Sequence, residues 1–171
     1  MQRILVLAIA ALASACASTG AVPKPFPLPG PASSAPAPVA APRAPANGRF
    51  DGYALVGTAL SFRGVPYRNG GSDPGGFDCS GFTQYVFAQY GIALAREVRE
   101  QFKQGASVPP HDVEPGDLIF FSTTEPGPSH VGIAVGGDEF VHAPSSTGVV
   151  RVERLGSSYW APRFLGARRV N

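Results

Sequence analysis

The stretch Phe77-Asp78-Cys79-Ser80-Gly81-Phe82 decides the fold, because it places a cysteine in the first turn of a predicted helix. Asp78 is a favourable N-cap residue, and side chains of core type recur at helical spacing from Cys79 until Gly91. Unpaired N–H groups and a partial positive charge at a helix N-terminus favour a thiolate over a thiol. The stretch therefore predicts a helix that begins at Cys79 and lowers the pKa of its thiol.

Two histidines lie on the two strands of a predicted β-hairpin. His130 opens an apolar run, residues 136–138 form a turn, and the chain returns to His142. With the turn centred on Gly136, the two histidines would stand directly opposite each other. Directly opposed Cβ atoms are about 4.5–5.5 Å apart. We therefore expect the two imidazoles to be within hydrogen-bonding reach.

One thiol and two imidazoles match the needs of acyl transfer by a cysteine nucleophile. Cys79 would attack, His130 would accept and return the proton, and His142 would orient His130 and set its tautomer. A zinc site is an alternative, but no Cys-x-x-Cys or His-x-x-x-His spacing and no obvious fourth ligand is present. Plain structural roles also remain open: a small buried apolar residue for Cys79 and a strand-end polar residue for either histidine.

Five motifs stand in the order found in a known family, and together they cover most of residues 48–171. They are Tyr67-Arg68-Asn69-Gly70-Gly71, Phe77-Asp78-Cys79-Ser80-Gly81-Phe82, Pro115-Gly116-Asp117-Leu118-Ile119-Phe120-Phe121, His130-Val131-Gly132-Ile133 and Phe140-Val141-His142-Ala143. The chain resembles the NlpC/P60 cysteine peptidases of bacterial cell walls. The resemblance implies an α+β, papain-like fold in which helices carrying the cysteine pack against a small antiparallel β-sheet carrying the histidines. It also implies a cofactor-free, metal-free hydrolase of peptide bonds in peptidoglycan stems.

The resemblance assigns further roles residue by residue. Cys79 looks like the nucleophile, His130 the base and His142 the third polar residue. Tyr67 is similar to the family tyrosine whose hydroxyl lies near the oxyanion, where a positioned donor would stabilise developing charge; a half-buried packing residue is its structural alternative.

Asp78 and Ser80 flank the nucleophile and are implied to help form the substrate-binding surface. Their structural roles, helix cap and first-turn polar residue, are compatible with this assignment.

Residues 94–101 depart from the family pattern. Where members often have a proline followed by Arg-Thr or Arg-Ser, Ala95 replaces the proline and Glu97 the small hydroxyl residue. The sequence therefore gives Arg96 no assigned substrate contact. It instead predicts an exposed charged helix here, and an exposed loop around His111.

The N-terminus indicates export. Residues 1–3 carry a positive charge, residues 4–12 are apolar but too short to span a bilayer, and residues 13–15 are small. Residues 1–15 are therefore predicted to be a signal peptide. Cys16 directly after them resembles a lipobox cysteine, whose acylation would anchor the chain in the membrane. By the custom of such lipoproteins, Ala17 rather than Asp after the cysteine implies the outer membrane, facing the periplasm, where the host has one. Ordinary signal-peptidase cleavage, leaving Cys16 a free thiol, is the alternative.

Residues 16–47 predict a disordered spacer behind this anchor, since they hold half of the chain's 18 prolines together with many alanines and serines. Residues 48–171 have the usual length of one domain, which we interpret as the catalytic domain. With Cys16 assigned to lipid and Cys79 to catalysis, no structural disulfide is expected from the two cysteines.

Composition excludes other classes of function. A net charge of +2 with 15% charged residues is too weak a bias for a nucleic-acid partner, and no phosphate loop or dinucleotide fingerprint is present. The sequence predicts a monomeric endopeptidase acting on peptidoglycan stem peptides or cross-links. Two candidate bonds remain open: the bond from D-glutamate to the diamino acid, and the bond from D-alanine to diaminopimelate. An amidase or acyltransferase on the same scaffold, or a non-catalytic wall-binding lipoprotein, is the alternative.

Overall fold

The computed structural model describes residues 51–171. The predicted signal peptide 1–15, the predicted lipid attachment at Cys16 and the spacer 16–47 lie outside the described residues and stay predictions. Within the described part of the chain, no helix is both long and apolar enough to cross a membrane. The helices are α1 (Gly52–Ser61), α2 (Cys79–Ala88) and α3 (Val98–Gln101). The strands are β1 (Ser72–Asp73), β2 (Gly76–Phe77), β3 (Ala106–Val108), β4 (Leu118–Phe121), β5 (His130–Gly136), β6 (Glu139–His142), β7 (Arg151–Arg154) and β8 (Phe164–Arg169).

Six of these strands form one antiparallel sheet in the order β3-β8-β4-β5-β6-β7, while β1 and β2 form a separate hairpin. Helices α1 and α2 pack against β5. This arrangement confirms the α+β class, with helices on an antiparallel sheet. The sheet is larger than expected because short edge strands such as β3 lack the apolar alternation that identifies a strand in sequence.

Strand β4 shows how the sheet separates two apolar layers. All four of its residues are buried. Leu118 and Phe120 join the core under the helices, whereas Ile119 and Phe121 join a second cluster that contains Trp160. Alternate side chains of a strand point to opposite faces, so a sheet covered on both faces gives a continuous apolar run. His130 and His142 pack against aromatic rings of this second cluster.

The charged segment after α2 agrees only in part with its prediction. Arg99, Glu100 and Lys103 are exposed, as is His111 in a 3-10 turn at Pro110–Asp112. Gln101, however, is fully buried. The segment therefore turns one polar side chain into the protein, and that side chain belongs to the site.

Replacing Gly81 with alanine is expected to lower the free energy of unfolding by about 3 kcal/mol, because the first turn of α2 lies directly on a loop. A Cβ at Gly81 would collide with the backbone oxygen of Gly71. The matched control is Gly57→Ala in α1, where a Cβ meets nothing within 4 Å. That control should raise stability by about 0.5–1 kcal/mol. Urea denaturation of both variants checks the pair, and equal effects would contradict the steric argument.

Candidate active site

Helix α2 begins at Cys79, as the sequence predicts. The Asp78 side chain caps it by accepting a 2.7 Å hydrogen bond from the Gly81 N–H. The Asp78 N–H donates to the Gly71 carbonyl at 3.0 Å, which ties the cap to the preceding loop. The position of the thiol is therefore set by the cap and by the loop together.

The thiol of Cys79 does not have the low pKa that its place at a helix N-terminus predicts. Its pKa is raised to about 11, first by burial and then by the neighbouring Asp78 carboxylate. Backbone N–H groups of Val131, Ser80 and Cys79 itself favour the thiolate but only partly offset these effects. The prediction is corrected because desolvation outweighs the helix terminus. In the resting protein the thiol is protonated at neutral pH.

His130 and His142 contact each other through a 2.7 Å hydrogen bond between His130 Nε2 and His142 Nδ1. Both side chains are buried, and their rings are nearly perpendicular, at 85°. The predicted proximity of the two imidazoles is thus confirmed. Within residues 51–171, no hydrogen bond joins His130 to the thiol; Cys79 instead meets the backbone of Val131, the residue next to His130.

The register that led to this prediction is wrong. Ile133 pairs with Val141, and the register shifts between Ala134 and Gly136, so a bulge moves the turn. Extending the pairing places His142 beside Gly132 rather than opposite His130. The imidazoles still meet because diagonal neighbours on one face remain within reach of long side chains.

Gly132 makes this diagonal contact possible, a role that was not predicted from the sequence. A Cβ there would lie 2.7 Å from Phe140 Cδ2 and 3.1 Å from the His142 Cβ. A glycine inside an otherwise apolar strand is the signal that could have revealed the close approach.

Burial keeps both histidines neutral. It lowers the pKa of His130 to about 4. It also lowers the pKa of His142 to about 2, with further contributions from His130 and Arg151. A protonated thiol and two neutral imidazoles therefore coexist at neutral pH, rather than a preformed thiolate–imidazolium pair.

Trp160 covers the histidine pair. Its ring stacks on His130, with 5.4 Å between centroids and 25° between planes, and it meets His142 edge-on at 5.0 Å. The indole N–H donates to the Glu153 carboxylate. Neither Trp160 nor Glu153 was predicted to belong to the site, because both come from parts of the chain distant from Cys79. The one available signal was that Trp160 is the only tryptophan in the sequence.

Polar side chains from three segments lie near the Cys79 thiol. Arg96 donates to the Asp78 carboxylate and, at 2.8 Å, to the Ser80 hydroxyl. The half-buried Tyr67 lies within electrostatic range, because its pKa is raised by burial and then by the charges of Cys79 and Asp78. The structure therefore brings Tyr67, Asp78 and Ser80 to the cysteine and adds Arg96, to which the sequence analysis gave no contact.

Gln101 holds the Arg96 segment against α2. It accepts a 2.8 Å hydrogen bond from Thr83 Oγ1 and donates to the carbonyls of Ser80, at 3.1 Å, and Ala95, at 2.8 Å. Every one of these partners is a group whose burial would cost free energy if it were unpaired. The segment that departs from the family pattern is thus fixed by a buried amide.

The alternative of a metal site has no geometric support. Across residues 51–171, no three His, Cys, Asp or Glu side chains are arranged so that they could hold a metal ion. Cys79, His130 and His142 therefore do not form a ligand set in this arrangement.

Comparison with known proteins places this chain within one family. The NlpC/P60 family matches residues 64–169. The gamma-DL-glutamyl hydrolase of Bacillus subtilis (strain 168) is 39% identical over 120 residues, covering 68% of this chain and 29% of that protein. The murein DD-endopeptidase MepS/murein LD-carboxypeptidase of Escherichia coli (strain K12) is 38% identical over 110 residues, covering 64% of this chain and 57% of that protein. The chain thus spans less than two thirds of either relative.

Solved structures agree with this match. An NlpC/P60 family protein from Bacillus cereus superposes with a TM-score of 0.68 and 30% identity, covering 75% of this chain and 42% of that one. The NlpC/p60 domain of the peptidoglycan hydrolase SagA gives a TM-score of 0.63 and 35% identity, covering 71% of this chain and 100% of that one. The capped cysteine helix, the antiparallel sheet and the matched residues together show that this chain belongs to the NlpC/P60 family.

Proposed function

We propose that this protein is a peptidoglycan endopeptidase that hydrolyses peptide bonds in murein stem peptides or cross-links through Cys79, His130 and His142. The observation that carries the proposal is the 2.7 Å hydrogen bond between the buried imidazoles of His130 on β5 and His142 on β6. Strand β5 also contacts the Cys79 thiol through the backbone N–H of Val131. Relatives named as a glutamyl hydrolase and a murein DD-endopeptidase support this substrate class.

The resting protonation states define the first step. Because the thiol is protonated and His130 is neutral, the proton moves from Sγ to His130 as the sulfur attacks the carbonyl carbon. The new C–S bond forms while the carbonyl π electrons move to oxygen, which gives a tetrahedral oxyanion. General-base assistance is therefore required, since thiolate is scarce at neutral pH.

Two donors are available to the oxyanion. The Cys79 backbone N–H lies at the start of α2, where helix N–H groups lack intrahelical partners. The Tyr67 hydroxyl stays protonated because its pKa is raised above its ordinary value. Each such donor stabilises the developing charge, and loss of one typically costs on the order of 10²-fold or more in rate.

The remaining steps protonate the leaving amine and regenerate the free thiol of Cys79. Protonated His130 gives its proton to the leaving amine as the C–N bond breaks, leaving an acyl group on Sγ. Water then gives a proton to His130, attacks the thioester carbon and releases the acid and the thiol. Water supplies both the hydroxyl and the proton that the products gain, so the cycle needs no further reactant.

Asp78, Ser80 and Arg96 form the polar wall of the proposed substrate cleft. Arg96 is 34% and Asp78 12% exposed in their side chains, so the ion pair can present polar groups to a bound peptide. A stem peptide carries amine and carboxylate groups that such a wall recognises. In this proposal Cys16 anchors a monomer in the outer membrane, and residues 17–47 carry the catalytic domain towards the wall without any nucleic-acid partner.

Mass spectrometry of muropeptides tests this function. Sacculi are digested with the full chain and, in parallel, with the Cys79→Ser variant. We expect new peptides with the intact thiol only, and their masses identify the bond, on which the two named relatives differ. Transfer products instead of hydrolysis products would show an acyltransferase. Unchanged sacculi and unchanged cross-linked dimers, with folded protein, would contradict the proposal and favour a wall-binding role.

A further inference from the structure

His142 has a buried ring nitrogen that the mechanism above leaves unused. Within residues 51–171, Nε2 of His142 is one of two buried side-chain nitrogen or oxygen atoms that lack a hydrogen-bond partner. The nearest charged group is the Glu153 carboxylate, whose Oε2 lies 3.7 Å from Nε2. This distance is too long for a hydrogen bond but short enough for a strong charge–dipole interaction in a buried site.

Glu153 is held in this position from three sides. It lies on β7, where it pairs with Phe140 and shares a sheet face with His142, because alternate residues of β6 point the same way. The Trp160 indole N–H donates to its Oε2, and Arg151 Nε lies 3.1 Å from its Oε1. Its carboxylate is therefore positioned by the fold rather than free in solvent.

A carboxylate facing Nε2 decides which tautomer His142 adopts. A neutral imidazole carries one N–H, so a proton on Nε2 points at the negative charge and leaves Nδ1 as an acceptor. The opposite tautomer would aim a lone pair at the carboxylate. The hydrogen bond between His142 Nδ1 and His130 Nε2 must then run from His130, which therefore carries its proton on Nε2.

We infer that Glu153 is a positioning residue that sets the tautomers of both histidines and leaves Nδ1 of His130 unprotonated as the base. This inference rests on the proposed function for its consequence, since an unprotonated Nδ1 is what allows His130 to accept the proton of Cys79. The other tautomer would place a proton on that nitrogen and block this step. Trp160 contacts both His130, on which its ring stacks, and Glu153, to which its indole N–H donates.

The same carboxylate favours the cation that forms during turnover. When His130 gains the thiol proton, a positive charge lies one hydrogen bond from His142 and so close to Glu153. In the described part of the chain, the charged or titratable groups recorded against His142 are His130, Arg151 and Glu153. Arg151 lowers the pKa of His142 and so opposes a positive charge there, but it is itself paired with Glu153, at 3.1 Å between Nε and Oε1.

Nitrogen-15 NMR of the histidine side chains in the full chain tests the inference without any need for activity. In the unmodified protein at about pH 7, we expect both His130 and His142 to carry the proton on Nε2. A proton on Nδ1 of His142 would overturn the inference outright. Because this reading needs no substitution and no substrate, it stands even if a variant fails to fold or the proposed function proves wrong.

Glu153→Gln then separates positioning from structure, with Glu139→Gln on neighbouring β6 as the exposed matched control. We expect Glu153→Gln to add the Nδ1–H tautomer at His142 and to lower kcat by about 10- to 100-fold with KM unchanged, less than the about 10⁴-fold cost of a fully inverted catalytic tautomer. Glu153→Asp, which keeps the charge, should recover part of kcat. An unchanged tautomer in folded Glu153→Gln, or equal losses in Glu153→Gln and Glu139→Gln, would reject Glu153 while leaving the proposed function intact.

Discussion

The variant His130→Asn is expected to hydrolyse peptidoglycan about 10⁴-fold more slowly than the unmodified protein at about pH 7. A thiol with a pKa of about 11 is ionised to only about one part in 10⁴ at that pH, so a protein without its base must rely on this trace of thiolate. Asparagine retains a polar group that can bind His142, which limits the structural disturbance. Initial rates on defined cross-linked muropeptides measure the loss.

The pH dependence of the same variant gives a second, independent reading. Without the base, the rate should rise about tenfold per pH unit as thiolate accumulates towards the pKa of Cys79, whereas the rate of the unmodified protein should stay nearly constant between about pH 7 and 6, because His130, with a pKa of about 4, is neutral throughout that range. His111→Asn is the matched control, since that imidazole is 81% exposed and lies outside every predicted motif. A loss of less than about 100-fold in folded His130→Asn would contradict the assignment of His130 as the base.

Acidification from about pH 6.5 to pH 4 is expected to remove about 5 kcal/mol of folding free energy. The folded state holds His130 and His142 at pKa values of about 4 and about 2, below the ordinary histidine value of 6.5. Below about pH 6.5 the unfolded chain therefore binds more protons than the native protein. Above that pH the histidines are neutral in both states and no penalty arises. As the pH falls below it, stability is lost at up to about 1.4 kcal/mol per pH unit for each histidine. Such a loss is comparable with the whole stability of a small domain.

Urea denaturation at a series of pH values measures this dependence. His142→Asn should reduce the slope by about half, because one of the two buried imidazoles is gone, while His111→Asn should leave it unchanged. The lowered pKa of Asp73 contributes stability that is lost only below its ordinary value of 3.8, outside this window. A flat stability curve between about pH 6.5 and 4.5 would show that the histidines are not buried as neutral groups.

Much of the site could be predicted from sequence wherever short-range interactions decide the structure. Asp78 caps α2 through an N–H only three residues away, so the start of the helix at Cys79 is written into adjacent residues. The hairpin of β5 and β6 follows from its own turn and apolar strands. The resemblance of the ordered motifs to a known family also predicted the NlpC/P60 fold.

The register of that hairpin shows where local reasoning stops. A bulge between Ala134 and Gly136 shifts the pairing, and nothing in the turn residues alone specifies it. The histidines nevertheless meet, because Gly132 leaves room between them and the sheet face is shared. The predicted contact between the two imidazoles was right, but it forms diagonally across Gly132 and not between directly paired residues.

What the sequence by itself determined about this protein is the identity of its chemical groups and the local elements that carry them: Cys79 on a capped helix and two histidines on a hairpin. Only the tertiary structure decided their electrostatics and their companions. Packing desolvates the thiol and raises its pKa, and it brings Arg96 and Glu153 to the site from other segments. Desolvation and contacts between distant residues depend on how the whole chain packs, and therefore no local pattern reports them.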